Sequence, residues 1–178
     1  MTNRTRLTVV IGPSGSGKSS HVERLLAVTD AELVRTNTTR PQRHEDENDT
    51  HIFISEDEFA ERETTGYFVG TGSMGGYNYG LPHLPETDKQ LIVMLRAPFV
   101  PTMKQYQPDA AVIQIEASVD TLIERLEKRN DTVRADAKRL EQEIILGRAL
   151  ASYVVSTDDT PDASFERFLA IWHDIHSH

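Results

Sequence analysis

Residues 7–19 read LTVVIGPSGSGKS, an apolar run that stops at a glycine and opens into a turn ending in lysine and serine. Beyond it, Val22, Leu25 and Leu26 recur at helical spacing between Lys18 and Ala27. The segment is therefore predicted as strand, glycine-rich turn, helix. In that context the pattern G-x-x-x-x-G-K-[ST] is a phosphate-binding loop. Its glycines leave backbone N–H groups free to wrap phosphate oxygens, and the helix start at Gly17 adds partial positive charge. Lys18 is expected to reach the β and γ phosphates of a nucleoside triphosphate, and Ser19 to offer a hydroxyl to magnesium. Gly12, Pro13, Ser14, Gly15, Ser16, Gly17, Lys18, Ser19 and Ser20 together form the expected donor site.

The rest of the chain alternates. Strands are predicted near 32–35, 51–54, 91–95, 111–115 and 154–155. The run LIVML at 91–95 lacks polar alternation, as suits a strand covered on both faces. Between the first and second of these, TNTTRPQRHEDENDT is expected to be a surface loop, and between the second and third, Thr71 to Gly76 a mobile glycine-rich connection. Ser55 to Glu58 has the form of a capping box before a short helix through Phe59 and Arg62. Ser118 is predicted to cap a helix bearing Val119, Leu122, Ile123 and Leu126. A second long helix is expected from Asp131 to Ser152 after a break near Asn130. The stripe Phe165, Phe168, Leu169, Trp172, Ile175 predicts a final amphipathic helix, with Trp172 in the core. Alternation of this kind implies an α/β domain on a mostly parallel sheet, which binds ligands at the carboxyl ends of its strands.

Composition narrows the partners. Acidic residues outnumber basic ones 28 to 19, a net charge of -9, so the overall field repels nucleic acid polymers. A small anionic substrate must then be caught by a local cluster of Arg and Lys. No apolar run approaches the ~20 residues that span a bilayer, and the amino terminus lacks the pattern of a signal peptide. The chain has no cysteine, which removes thiolate chemistry and fits a reducing compartment. A cytoplasmic protein without membrane association is expected.

One such cluster is TTRPQR, where Arg40 and Arg43 stand three residues apart and could converge on one phosphate through bidentate hydrogen bonds. The spacing equally suits a solvated loop in which they pair with Glu45, Asp46 or Glu47.

GPSGSGKS, then TNTTRPQR, HIFISEDEF, GYF ahead of YNYG, ERLEKR and SYVVSTDD occur in an order that resembles the guanylate kinase family. The resemblance implies a P-loop NTPase fold: a mostly parallel five-stranded sheet flanked by helices, in one domain spanning 1–178. It also implies a small acceptor-binding insertion at about 35–90 and a helical lid at about 125–145. It further implies ATP as donor with Mg2+, Arg40, Arg43 and Tyr79 on the acceptor phosphate, and lid arginines at Arg129 and, with a one-residue gap, Arg139. Ser156 and Thr157 fall where that family passes the adenine.

The resemblance departs where guanine would be read. The family's glutamate falls at Gly70, the hydroxyl residue of its Tyr-Gly-Thr is Leu81, and the carboxylate after the strand LIVML is Arg96. A glycine and a leucine cannot accept hydrogen bonds from a guanine edge, and loss of both should remove most preference for that base. The family's phosphate-binding tyrosine corresponds to His51, whose imidazole can still donate to phosphate. The pattern THIFISEDEF with a basic residue ending the fourth strand is more similar to a divergent branch, the ribose 1,5-bisphosphate phosphokinases, in which Arg96 would hold a second acceptor phosphate.

The expected activity is transfer of the γ-phosphoryl of ATP to a phosphate group of a small acceptor, either a nucleoside monophosphate or ribose 1,5-bisphosphate. Lys18, Arg40, Arg129 and Arg139 are the expected catalytic residues. A guanylate kinase with altered base contacts and a non-catalytic binding module are the alternatives. The intact Lys18 and Ser19 argue against the module. Monomer and homodimer remain equally open.

Overall fold

The computed structural model describes residues 7–43 and 50–177. Its first half runs β1 (Leu7–Ile11), α1 (Lys18–Val28), β2 (Glu32–Val34), β3 (Thr36–Thr38), β4 (His51–Phe53), α2 (Glu56–Thr64), β5 (Phe68–Met74) and β6 (Tyr77–Pro82). The second half runs β7 (Leu91–Met94), α3 (Val100–Tyr106), β8 (Ala111–Glu116), α4 (Val119–Lys128), α5 (Ala137–Leu150), β9 (Tyr153–Ser156) and α6 (Pro161–His176).

Five strands form a parallel sheet in the order β2-β7-β1-β8-β9. Strand alternation divides β1 between two cores. Leu7, Val9 and Ile11 pack with Leu91, Val93, Val112 and the α3 residues Val100 and Met103. Val10 points to the opposite face, with Ile92, Ile113 and Val155, where α1 and α6 cover it through Val22, Leu25, Phe165, Phe168 and Trp172. Trp172 is thus a core residue. Phe168 is fully buried, and burial of such a side chain contributes about 1.5 to 3 kcal/mol.

A second, four-stranded sheet has the order β4-β3-β6-β5. Val34 pairs with Val93 in the first sheet and Thr36 with His51 in the second, so Arg35 alone separates the two. This short crossing swings the segment after Val34 over the carboxyl ends of the parallel strands.

Three expectations are corrected. Thr36 to Thr38, read as part of a surface loop, is a buried strand. Two of its polar side chains find partners elsewhere in the chain: Arg62 donates to Asn37 Oδ1, and Thr38 Oγ1 donates to the Asn78 carbonyl at 3.0 Å. Thr71 to Gly76, read as a mobile connection, is mostly strand β5. Its hairpin turns at Gly75 and Gly76, both with positive φ (61° and 80°), which matches the twist of the flanking strands. The helix expected from Asp131 begins only at Ala137, where Asp136 accepts from the Arg139 N–H at 2.7 Å.

Other local signals hold. Ser55 accepts from the Glu58 N–H at 3.1 Å, while the Glu58 carboxylate pairs with Arg62 rather than completing the box. Ser118 caps α4, and Asn130 breaks the chain after it with φ of 55°. Among the described residues no helix is long and apolar enough to cross a membrane.

Candidate active site

The turn after β1 is shaped by contacts that only glycine permits. At Gly12, φ is 151° and a Cβ would stand 2.0 Å from the Ile115 carbonyl oxygen at the end of β8. At Gly17 the backbone turns through φ 93° into α1. That helix has no side-chain cap and no acidic residue in its first turn, whereas Ser55, Ser118, Asp136 and Thr160 cap α2, α4, α5 and α6. Its first N–H groups and partial positive charge are therefore left for a ligand. The Ser16 hydroxyl is buried without a hydrogen-bond partner among the described residues. Together these features fit a phosphate chain, and Ser19, the next residue after Lys18 on the cavity wall, fits a magnesium ligand.

Lys18 folds back over the turn, its Nζ donating to the carbonyls of Gly12 at 2.7 Å and Pro13 at 3.1 Å. Burial, followed by the nearby positive charges of Arg96 and Arg134, lowers its pKa to about 8, and the Glu143 carboxylate opposes that shift.

The turn is braced from behind. Arg125 donates to the Gly15 carbonyl at 3.3 Å and to Thr157 Oγ1 at 2.8 Å, and Thr157 Oγ1 lies 3.1 Å from the Ser16 carbonyl. His21 Nδ1 donates to the Gly17 carbonyl at 2.9 Å, and its Nε2 lies 3.1 Å from Ser164 Oγ on α6. Burial lowers the His21 pKa, which disfavours the charged form of the ring.

A cavity of about 220 Å³ lies between the turn and the second sheet. Every expected donor residue lines it except Pro13, which contributes its carbonyl to Lys18. Arg40, Arg43, His51 and Tyr79 line the opposite side, and Arg96 and Arg129 its rim. Arg40 is 7% exposed; its N–H donates to Thr38 Oγ1 at 3.1 Å, and its guanidinium lies 5.3 Å from the Phe53 ring. Two elements of that sheet therefore set the position of Arg40. Glu45, Asp46 and Glu47, the acidic partners the sequence offers it, lie outside the described residues.

Arg139 is not part of the cavity wall; its Nε donates to Glu143 at 3.2 Å on the same helix. Arg134 takes its place there, paired with Asp131 and reaching Ser14 Oγ at 3.4 Å. Sequence reasoning missed Arg134 because a continuous helix from Asp131 would have carried it elsewhere. Arg43, Arg129 and Arg134 also line an adjoining cleft, so the second sheet and the loop after α4 share one basic rim. Ser156 and Thr157 are absent from the cavity wall; Ser156 Oγ donates to Asp158 at 3.2 Å.

Gly70 and Leu81, at the guanine-reading positions, line the cavity and are also tightly packed. A Cβ at Gly70 would meet Thr102 Cγ2 at 2.3 Å, and one at Gly72 would meet the Phe99 ring at 2.2 Å. Leu81 is buried in the core with Val100 and Met103. Arg96 caps the turn after β7 and donates through Nη2 to Glu143 at 3.2 Å.

A parallel sheet whose carboxyl edge holds a phosphate-binding turn, faced by a second cationic site, defines the class of P-loop kinases that act on phosphate groups. The guanylate kinase family model matches residues 4–164, and the chain belongs to that family. It is an ATP-dependent kinase, with the Mg2+ requirement standard in the family. The chain is 36% identical over 142 residues to the guanylate kinase of Bdellovibrio bacteriovorus, covering 75% of this chain and 76% of that protein. It is 31% identical to a ribose 1,5-bisphosphate phosphokinase of Burkholderia mallei, covering 75% and 77% respectively. A bifunctional ribose 1,5-bisphosphokinase-thymidine phosphorylase of Cupriavidus pinatubonensis is 30% identical over 90% of this chain, which spans only 28% of that longer protein. In fold, a guanylate kinase from Anaplasma phagocytophilum superposes with a TM-score of 0.73 at 19% identity, covering 98% of this chain and 89% of that one.

Proposed function

We propose that the chain transfers the γ-phosphoryl of ATP to one phosphate of a compact acceptor that carries a second phosphate, with ribose 1,5-bisphosphate as the acceptor. The observation that carries this reading is Arg96, a cation on the cavity wall, combined with Gly70 and Leu81, which offer no side-chain polar atom to a base. Arg40, Arg43, His51 and Tyr79 grip the phosphate that receives the new group, and Arg96 takes the other.

No residue needs to act as a base, because an acceptor phosphate is already ionised at neutral pH. Its oxygen forms the new bond to the γ-phosphorus. The bond to the β,γ-bridging oxygen breaks, and the electron pair leaves with ADP. Lys18, Arg129 and Arg134 bear the charge that spreads over the transferring group, the main catalytic demand of this reaction. Ser19 would hold Mg2+, which when bound would lower the charge on the donor phosphates. Arg40 and the turn align the two phosphates so that the reaction proceeds from a near-attack arrangement.

The test is ADP release measured against ribose 1,5-bisphosphate, GMP and the other nucleoside monophosphates, with Lys18→Ala as the blank. Preference for the sugar bisphosphate is expected. A kcat/KM for GMP equal to or above that for ribose 1,5-bisphosphate overturns the reading.

A further inference from the structure

One carboxylate oxygen serves two arginines from different parts of the fold. Glu143 Oε1 accepts from Arg96 Nη2 and from Arg139 Nε, each at 3.2 Å. Arg96 stands after β7 on the cavity wall, while Arg139 and Glu143 lie one turn apart on α5. The pair is partly shielded, with side chains 30% and 25% exposed for Arg96 and Glu143. Among the described residues Glu143 is the one hydrogen-bond partner of the Arg96 guanidinium, so Nε and Nη1 are left to donate to a ligand. A guanidinium presents its donors as a rigid planar fork, and fixing one arm fixes the direction of the rest.

Glu143 also opposes the cations around Lys18, where Arg96 and Arg134 act together. It is thus an anion standing beside a cluster built for anions, held on an element that the reaction described above does not use.

We propose that Glu143 is a positioning residue: from α5 it aims Arg96 into the acceptor cavity, and so sets affinity for the acceptor's second phosphate. The role rests on the reading of Arg96 given under Proposed function. Glu143 contacts no substrate in this arrangement. Its effect reaches the acceptor only through Arg96, and that dependence makes it separable from a structural role.

The experiment is a double-mutant cycle on the full chain, with ribose 1,5-bisphosphate as the varied substrate and ATP saturating. Arg96→Ala and Glu143→Gln are each expected to raise the acceptor KM by about tenfold, the loss associated with one charged hydrogen bond. The KM for ATP should stay within about twofold. The double variant should be no worse than Arg96→Ala alone, because a residue acting through another adds nothing once that one is gone. Glu143→Asp, which keeps the charge on a shorter arm, should recover part of the affinity; it also carries the test if Glu143→Gln does not fold. If Arg96→Ala raises the KM and neither Glu143 variant does, the positioning role is overturned while the reading of Arg96 stands. Additive losses in the double variant overturn it as well. An unchanged KM in Arg96→Ala, or a wild-type protein that does not turn over ribose 1,5-bisphosphate, overturns the acceptor reading and the role of Glu143 with it.

Discussion

Lys18 Nζ donates to the Gly12 carbonyl at 2.7 Å, so the cation that is to meet the donor phosphates is held by the very turn that will wrap them. The side chain is thereby stored in place, and burial beside Arg96 and Arg134 lowers its pKa to about 8.

The pH dependence follows from that value. Below about 8 the ammonium is charged and binds phosphate; above it the charge is lost, so kcat/KM for ATP should be flat near neutrality and fall as pH rises through about 8. In the unfolded chain the same lysine titrates near its ordinary value of 10.5. Between those two values the unfolded state binds more protons, so this group's contribution to stability rises with pH across that window. A profile for kcat/KM that stays flat to pH 10 would contradict this assignment.

Lys18→Met should reduce phosphoryl transfer by about 10³-fold or more, as expected for loss of a main electrostatic contact. The ligand-free variant should melt at a higher temperature than wild type, because a buried charge has been removed. Mg-ATP should raise the melting temperature of wild type, by linkage, and shift that of the variant far less. Equal protection of both proteins would place the donor elsewhere.

Arg40→Ala should weaken acceptor binding by about 2 to 4 kcal/mol, the cost of unpairing a buried charged hydrogen bond. Calorimetric affinity for ATP should be nearly unchanged, since Arg40 belongs to the second sheet. Equal losses for both ligands would refute a two-site arrangement.

Arg134 lines the cavity and Arg139 does not, and a variant of each tests which one serves the transfer. Arg134→Ala should lower kcat by about 10²-fold as a lost transition-state contact. Arg139→Ala removes only an exposed i,i+4 partner of Glu143, and should alter kcat by about threefold or less. Single-turnover rates for the two variants decide the matter.

Gly70→Glu should fail to create guanine recognition. Its Cβ would stand 2.3 Å from Thr102 Cγ2, and forcing the two apart should cost about 1 to 3 kcal/mol. Urea unfolding measures that cost, and any gain in GMP turnover would show that the base position is open.

The donor half of the site was legible in the sequence because local chemistry builds it. An apolar run, three glycines, a lysine and a helix carry their own geometry, and the cavity gathers them as spaced. The second sheet was harder to read. Its strand β3 is polar and buried, so Thr36, Asn37 and Thr38 carry a loop's composition while their hydrogen bonds lie up to 40 residues away. Strand β5 was hidden by Gly70 and Gly72, which serve close packing against Thr102 and Phe99 rather than flexibility. The partnership of Arg96 with Glu143 joins residues 47 apart, and no local pattern announces it.

The order of the parallel sheet has a consequence for how the chain acquires its activity. β1 lies at the centre, paired with β7 at Leu91 and with β8 at Ala111. During synthesis the phosphate-binding turn emerges well before either neighbour of its strand, since Leu91, the partner of Leu7, follows only about 80 residues later. Loops of that length must close before any contact rewards them, which slows such pairings. The Ile115 carbonyl that confines Gly12 arrives later still. A nascent chain therefore exposes the turn long before it can shape it, and capture of nucleotide marks the completion of the sheet rather than its beginning.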